Sequence, residues 1–89
     1  MIDGTIYTVR IISKNEDDYI DLMDSTNREV MMEYASHFNT PKDIRKEVEE
    51  EEYEELTKHG FPLTLKVVAT EQPWLTDYIV FEKEIVGVE

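Results

Sequence analysis

Cysteine is absent from this 89-residue chain, and only three glycines and three prolines punctuate it. With no thiol there is no disulfide framework and no thiolate metal site, a composition compatible with a reducing compartment. Bases are scarce: nine lysines and arginines stand against 21 aspartates and glutamates, for a net charge of −12. No apolar run approaches the ~18 residues that would span a bilayer, and Met1 to Lys14 shows no basic start followed by an apolar run. The expected location is therefore cytoplasmic, without membrane association. A glycine-rich phosphate loop and a nucleophile motif are also missing.

What remains is enough for one small core. Apolar residues make up 40 % of the chain and aromatics 10 %, above the range of disordered, highly charged segments. A chain of this size buries about 60–65 % of its unfolded surface around a single core, so residues 1–89 are expected to form one domain. Acids outnumber bases eight to three in residues 1–40, eight to four in 41–59 and five to two in 60–89. The acidity thus belongs to the whole domain and not to a tail. Such a chain repels nucleic acid and anionic membranes and attracts basic proteins.

Hydrophobic periodicity orders the elements. Gly4 to Ser13 reads as a strand, with Tyr7, Val9 and Ile11 pointing one way. Ser13-Lys14-Asn15-Glu16-Asp17-Asp18 is a turn by composition. Tyr19 to Met23 reads as a second strand closing a hairpin, with a helix starting near Asp17 as the alternative. Thr26 and Glu29 have capping-box spacing, and a helix to about Phe38 follows, with Val30, Met31, Tyr34, Ala35 and Phe38 on its core stripe. Phe61 to Thr70 alternates as a strand. Glu71-Gln72-Pro73-Trp74 is a turn, and Leu75 to Ile85 is the last strand. The expected class is α+β: an antiparallel four-stranded sheet in the order β-β-α-α-β-β, with two helices on one face.

The best-marked segment is Thr40 to Gly60, which reads as one continuous helix. Thr40 caps it, Pro41 takes the first position, Asp43 lies in the first turn, and Lys58, His59 and Gly60 close it. It holds eight of the 21 acids. Ile44, Val48 and Leu56 fall on one stripe with Tyr53 off its edge; Asp43, Glu47, Glu50, Glu51 and Glu54 form the opposite face. The like-charge pairs 43/47, 47/51, 50/54 and 51/55 together cost roughly 1–2 kcal/mol, while Arg45/Glu49, Lys46/Glu50 and Glu54/Lys58 recover about 1 kcal/mol. A helix so arranged is not optimised for its own stability. Its acids either serve a partner or form a solvated face that keeps the chain soluble.

Catalytic groups are few. His37 and His59 lie near helix C-termini, where a cation is favourable, so both read as structural. Glu16-Asp17-Asp18 and Asp21-Leu22-Met23-Asp24 lack the glycine and the spacing of a calcium loop. No cofactor or dedicated metal is expected, and the chain is not expected to be an enzyme. Lys42, Arg45 and Lys46 are the only basic cluster, too small to draw phosphates against the net charge.

Inverted, the same electrostatics suggest a domain that occupies a phosphate-binding groove. In length, charge, lack of cysteine and the Asp43–Glu55 carboxylate row, the chain resembles the small acidic DNA-mimic proteins with which bacteriophages block host restriction and other defence enzymes, the anti-restriction endonuclease proteins of T-even phages among them. The resemblance is one of class and rests on no shared motif. It implies an inhibitor in the host cytoplasm, directed at a basic nucleic-acid-binding protein such as a defence nuclease or nucleoid protein. Helix carboxylates recur every ~5–6 Å of axis, more sparsely than the ~3.4 Å of one DNA strand. Glu16, Asp17, Asp18, Asp21 and Asp24 of the hairpin are candidates for a second row, and a homodimer would extend it. The alternative is an adaptor that binds through an apolar or aromatic patch (Tyr53, Trp74 or Tyr78), its acidity serving only solubility.

Overall fold

The computed structural model describes residues 4–71 and 76–87. In chain order these form β1 (Ile6–Ile12), β2 (Tyr19–Ser25), α1 (Arg28–Ser36), α2 (Pro41–Arg45), α3 (Glu50–Thr57), β3 (Leu63–Glu71) and β4 (Thr76–Ile85). The class is α+β, as expected, with a single antiparallel sheet in the spatial order β2-β1-β3-β4. Since β3 pairs with β1, the chain leaving β2 must cross over β1. The three short helices make that crossing on one face and bury Val9, Ile11, Leu65 and Val67 beneath them. Alternation along each strand sends Arg10 and Lys66 to the opposite, uncovered face.

Residues 19–25 are strand, which settles the choice between hairpin and helix. The connecting turn has no glycine, so Glu16 takes the positive φ of 66°. Its polar groups are satisfied locally. The Ser13 amide donates to the Asp18 carbonyl at 2.8 Å, and the nearly buried Ser13 hydroxyl accepts from the Asp18 amide at 3.1 Å. The expected antiparallel hairpin is present, with β3 (Leu63–Glu71) paired to β4 (Thr76–Ile85); β3 starts two residues later than the expected Phe61 and takes in Glu71. Gln72 to Leu75 of the connecting turn, Trp74 included, lie outside the described residues.

The first helix departs in detail from its expected form. Asn27, not Thr26, is the cap: its side chain accepts from the Val30 amide at 3.1 Å, and asparagine is the stronger capping residue of the two. The helix ends at Ser36, and the Asn39 side chain donates to the freed Ser36 carbonyl. Met31, Ala35 and Phe38 are buried, but Val30 is left 49 % exposed on the flank.

The larger correction concerns the acidic segment. It is two helices, α2 and α3, separated at residues 46–49. The apolar residues supply the reason. In an unbroken helix, Ile44 and Tyr53 would face about 180° apart; with the break, both pack into the same core beside Leu56. Glu49 restarts the helix as an N-cap with a capping box, in which the Glu52 carboxylate accepts from the Glu49 amide at 3.0 Å. The break also removes the helical 43/47 and 47/51 spacing of like charges.

Candidate functional site

The nine acids picked out as a binding surface do not form two parallel rows. Asp43 is engaged as a cap: its Oδ2 accepts from the amides of Asn39 at 2.9 Å and Thr40 at 3.0 Å. These two bonds, in that order, hold its carboxyl below the ordinary carboxylate range. Glu50 pairs with Arg45 at 2.8 Å across the helix break, a contact different from the expected Arg45/Glu49 and Lys46/Glu50 spacings. Glu47 and Glu54 are exposed. Glu47 lies near the Tyr34 phenol, which burial first and Glu47 second push up.

On the hairpin, Asp21 and Asp24 pair in register with Arg10 and Thr8, which places them on the face away from the helices. Asp21 is bound there by Arg10, Nε to Oδ1 at 2.6 Å and Nη2 to Oδ2 at 3.3 Å. That bond, more than any other contact, raises the Arg10 pKa. The row continues across the sheet as Asp21, Arg10, Lys66 and Glu82. Two cations stand side by side on β1 and β3, an unfavourable cross-strand pairing, and each has an acid on its outer neighbour. Charge on this part of the uncovered face is therefore balanced.

The helix and hairpin acids meet at one place. Asp18, at the start of β2, and Glu51, Glu52 and Glu55 of α3 surround a cavity of about 240 Å³. Tyr19, Ile20 and Leu56 also line it, and its lining surface is mainly apolar. Leu56 is fully buried and Ile20 half-buried, so the floor is an outward extension of the core. The carboxylates on the rim differ in their engagement. Glu52 accepts from the Glu49 amide, and Glu55 is paired with Lys58 at 3.2 Å. Asp18 and Glu51 have no ion pair among the described residues. Asp17 sits next to this rim at the exposed tip of the turn, accepting from the Asn15 side chain at 3.2 Å.

Glu52 and Glu55, with the apolar floor, are what sequence reasoning missed. Residues 51, 52, 55 and 56 share one side of a helix, a spacing visible in the sequence. That this side lies over β2 is decided by the helix break. A second, shallower cavity of about 200 Å³ is lined by Lys42, Arg45 and Lys46. Among the described residues, no three acids or histidines are grouped closely enough to hold a metal ion, and no helix is long and apolar enough to cross a membrane. No protein-family model matches the chain, and neither a curated protein nor a solved structure shows significant similarity to it.

Proposed function

We propose that this chain is a non-catalytic inhibitor that occupies the nucleic-acid-binding surface of a basic protein, such as a restriction or other defence nuclease or a nucleoid protein. One observation carries this reading: Asp18 and Glu51, from distant parts of the sequence, converge with Glu52 and Glu55 on one cavity, while Asp21 on the far face is matched by Arg10. The net charge of −12 draws a basic partner in. The mimicry is not that of one long row. Eight residues of α3 span only ~12 Å, so complementarity rests on the acids that line the cavity.

The adaptor reading loses Tyr53, which is buried in the core, but keeps a specific support in the exposed Tyr78, together with Tyr19 and Ile79, which are 45 %, 58 % and 50 % accessible.

The two readings separate in a displacement assay. Fluorescent duplex DNA is bound to each member of a panel of purified restriction endonucleases and nucleoid proteins, and the chain is titrated in at two salt concentrations. Release of DNA from at least one of them, weakening as salt rises, is the expected result. Binding to a panel member without release of DNA, and without salt dependence, would give the adaptor reading first place. Replacing Glu47, Glu50 and Glu54 together with Gln should change stability by less than about 1 kcal/mol, because these charges are exposed. It should still slow association and flatten the salt dependence.

A further inference from the structure

We propose that the cavity between β2 and α3 is an anchor pocket for a single arginine side chain of the basic partner. The inference rests on the inhibitor reading and names the group that reading would recognise. Size argues for a side chain: about 240 Å³ lies below the roughly 300–1,000 Å³ of sites that hold whole small molecules. The lining argues for an amphipathic one. Tyr19, exposed, and Ile20, half-buried, offer apolar surface to the methylene stem, and Asp18 and Glu51 are among the lining residues that can meet its charged head.

The number and origin of those carboxylates favour arginine over lysine. Asp18 comes from the hairpin and Glu51 from α3, so two separate elements each contribute an acid to the lining. A planar guanidinium presents five donors in a fixed fork and reaches two separate carboxylates at once; an ammonium is a point charge with a heavier hydration cost. Glu52 and Glu55 already have partners in the Glu49 amide and Lys58. That leaves Asp18 and Glu51, which have no ion pair among the described residues, to receive the newcomer. An apolar side chain would fill the same floor but leave the Asp18 and Glu51 carboxylates beside a low-dielectric group without compensation.

The test needs no identified partner. The ¹⁵N-labelled chain is titrated with N-acetyl-arginine methylamide, and in parallel with the lysine, norleucine and citrulline analogues. Citrulline has nearly the shape of arginine without its charge. Arginine is expected to shift the amides of residues 18–20 and 51–56 saturably, with citrulline and norleucine at least several-fold weaker and lysine in between. Asp18→Asn with Glu51→Gln should weaken arginine roughly three- to tenfold, the scale of two exposed charge pairs. An unchanged amide spectrum elsewhere confirms that this variant is folded.

Shifts spread evenly over all acidic segments, equal binding of arginine and citrulline, or tighter binding of norleucine would each overturn the proposal. Tighter binding of lysine would overturn the preference for arginine. The two inferences fail separately. A negative titration beside intact DNA displacement removes the pocket and leaves the inhibitor; a positive titration with no displacement from any panel member removes the inhibitor and leaves a pocket for arginine.

Discussion

Asp43 accepts three hydrogen bonds at the start of α2: from the amides of Asn39 and Thr40, and from the Thr40 hydroxyl at 3.2 Å. Its role is that of a cap, satisfying donors that a helix N-terminus leaves open. The folded carboxyl is held below its usual range, so the stabilisation is present in full above the unfolded value of ~3.9 and is lost as pH falls through the lowered folded value. Asp43→Asn is therefore expected to melt below wild type at neutral pH, with the gap closing as pH drops below about 4. Thermal melts across that range check it, and a gap that persists into strong acid would assign the loss to geometry instead of charge. The neighbouring Lys83 donates to the Asn39 side chain at 3.1 Å, and its pKa is lowered by burial, with Asp43 opposing. This part of the acidic segment serves the fold, which is why a count of acids on a helical wheel overstates how many are free of a structural role.

The short helices cannot stand on their own propensity. Isolated helices below ~12–15 residues are marginal in water, and α2 has five residues and α3 eight. Their stability comes from the apolar residues they insert into the core: Ile44 from α2, Tyr53 and Leu56 from α3. Arg45 reinforces the junction by pairing with Glu50 while its guanidinium lies 5.2 Å from the Tyr53 ring centre. Ile44→Ala should cost about 2–5 kcal/mol, the range for deleting a large aliphatic side chain from a packed site. The loss should be uneven. Hydrogen exchange is expected to show α2 amides opening first, while β1 and β3, paired on both sides, keep their protection. Uniform loss of protection would mean that the helices and the sheet fold as one indivisible unit.

At the scale of the molecule, β2 and β4 are the two edges of the sheet, and unpaired edges invite association. Asp21 and Asp24 charge the β2 edge. The ten-residue β4 edge carries Asp77, Glu82 and Glu84 but also Tyr78 and Ile79, both substantially exposed. A homodimer through β4 is the expected assembly, and its main opponent is repulsion between two copies of charge −12. Screening weakens that repulsion, the Debye length falling from about 10 Å at 0.1 M salt to about 3 Å at 1 M. Light scattering at high protein concentration should therefore give a mass that rises with salt. A monomer mass at every salt concentration would leave the edges protected by their charges.

By itself the sequence determined the α+β class, the first helix and the strands β1, β3 and β4, because strand alternation and cap chemistry are local; it left β2 open against a helix. It determined which acids exist, and that they outnumber the bases along the whole chain. Only the tertiary structure decided that the acidic segment breaks at residues 46–49. The cap signals at Thr40 and Gly60 favour continuity; the like-charge spacing opposes it weakly, and the need to bury Ile44 and Tyr53 in one core, built on β1 and β3, opposes it decisively. The same break turns residues 51, 52, 55 and 56 toward β2 and so creates the cavity that Asp18 completes. A helical wheel assigns a residue to a side of its own helix, but which side meets another element depends on packing between segments more than 30 residues apart.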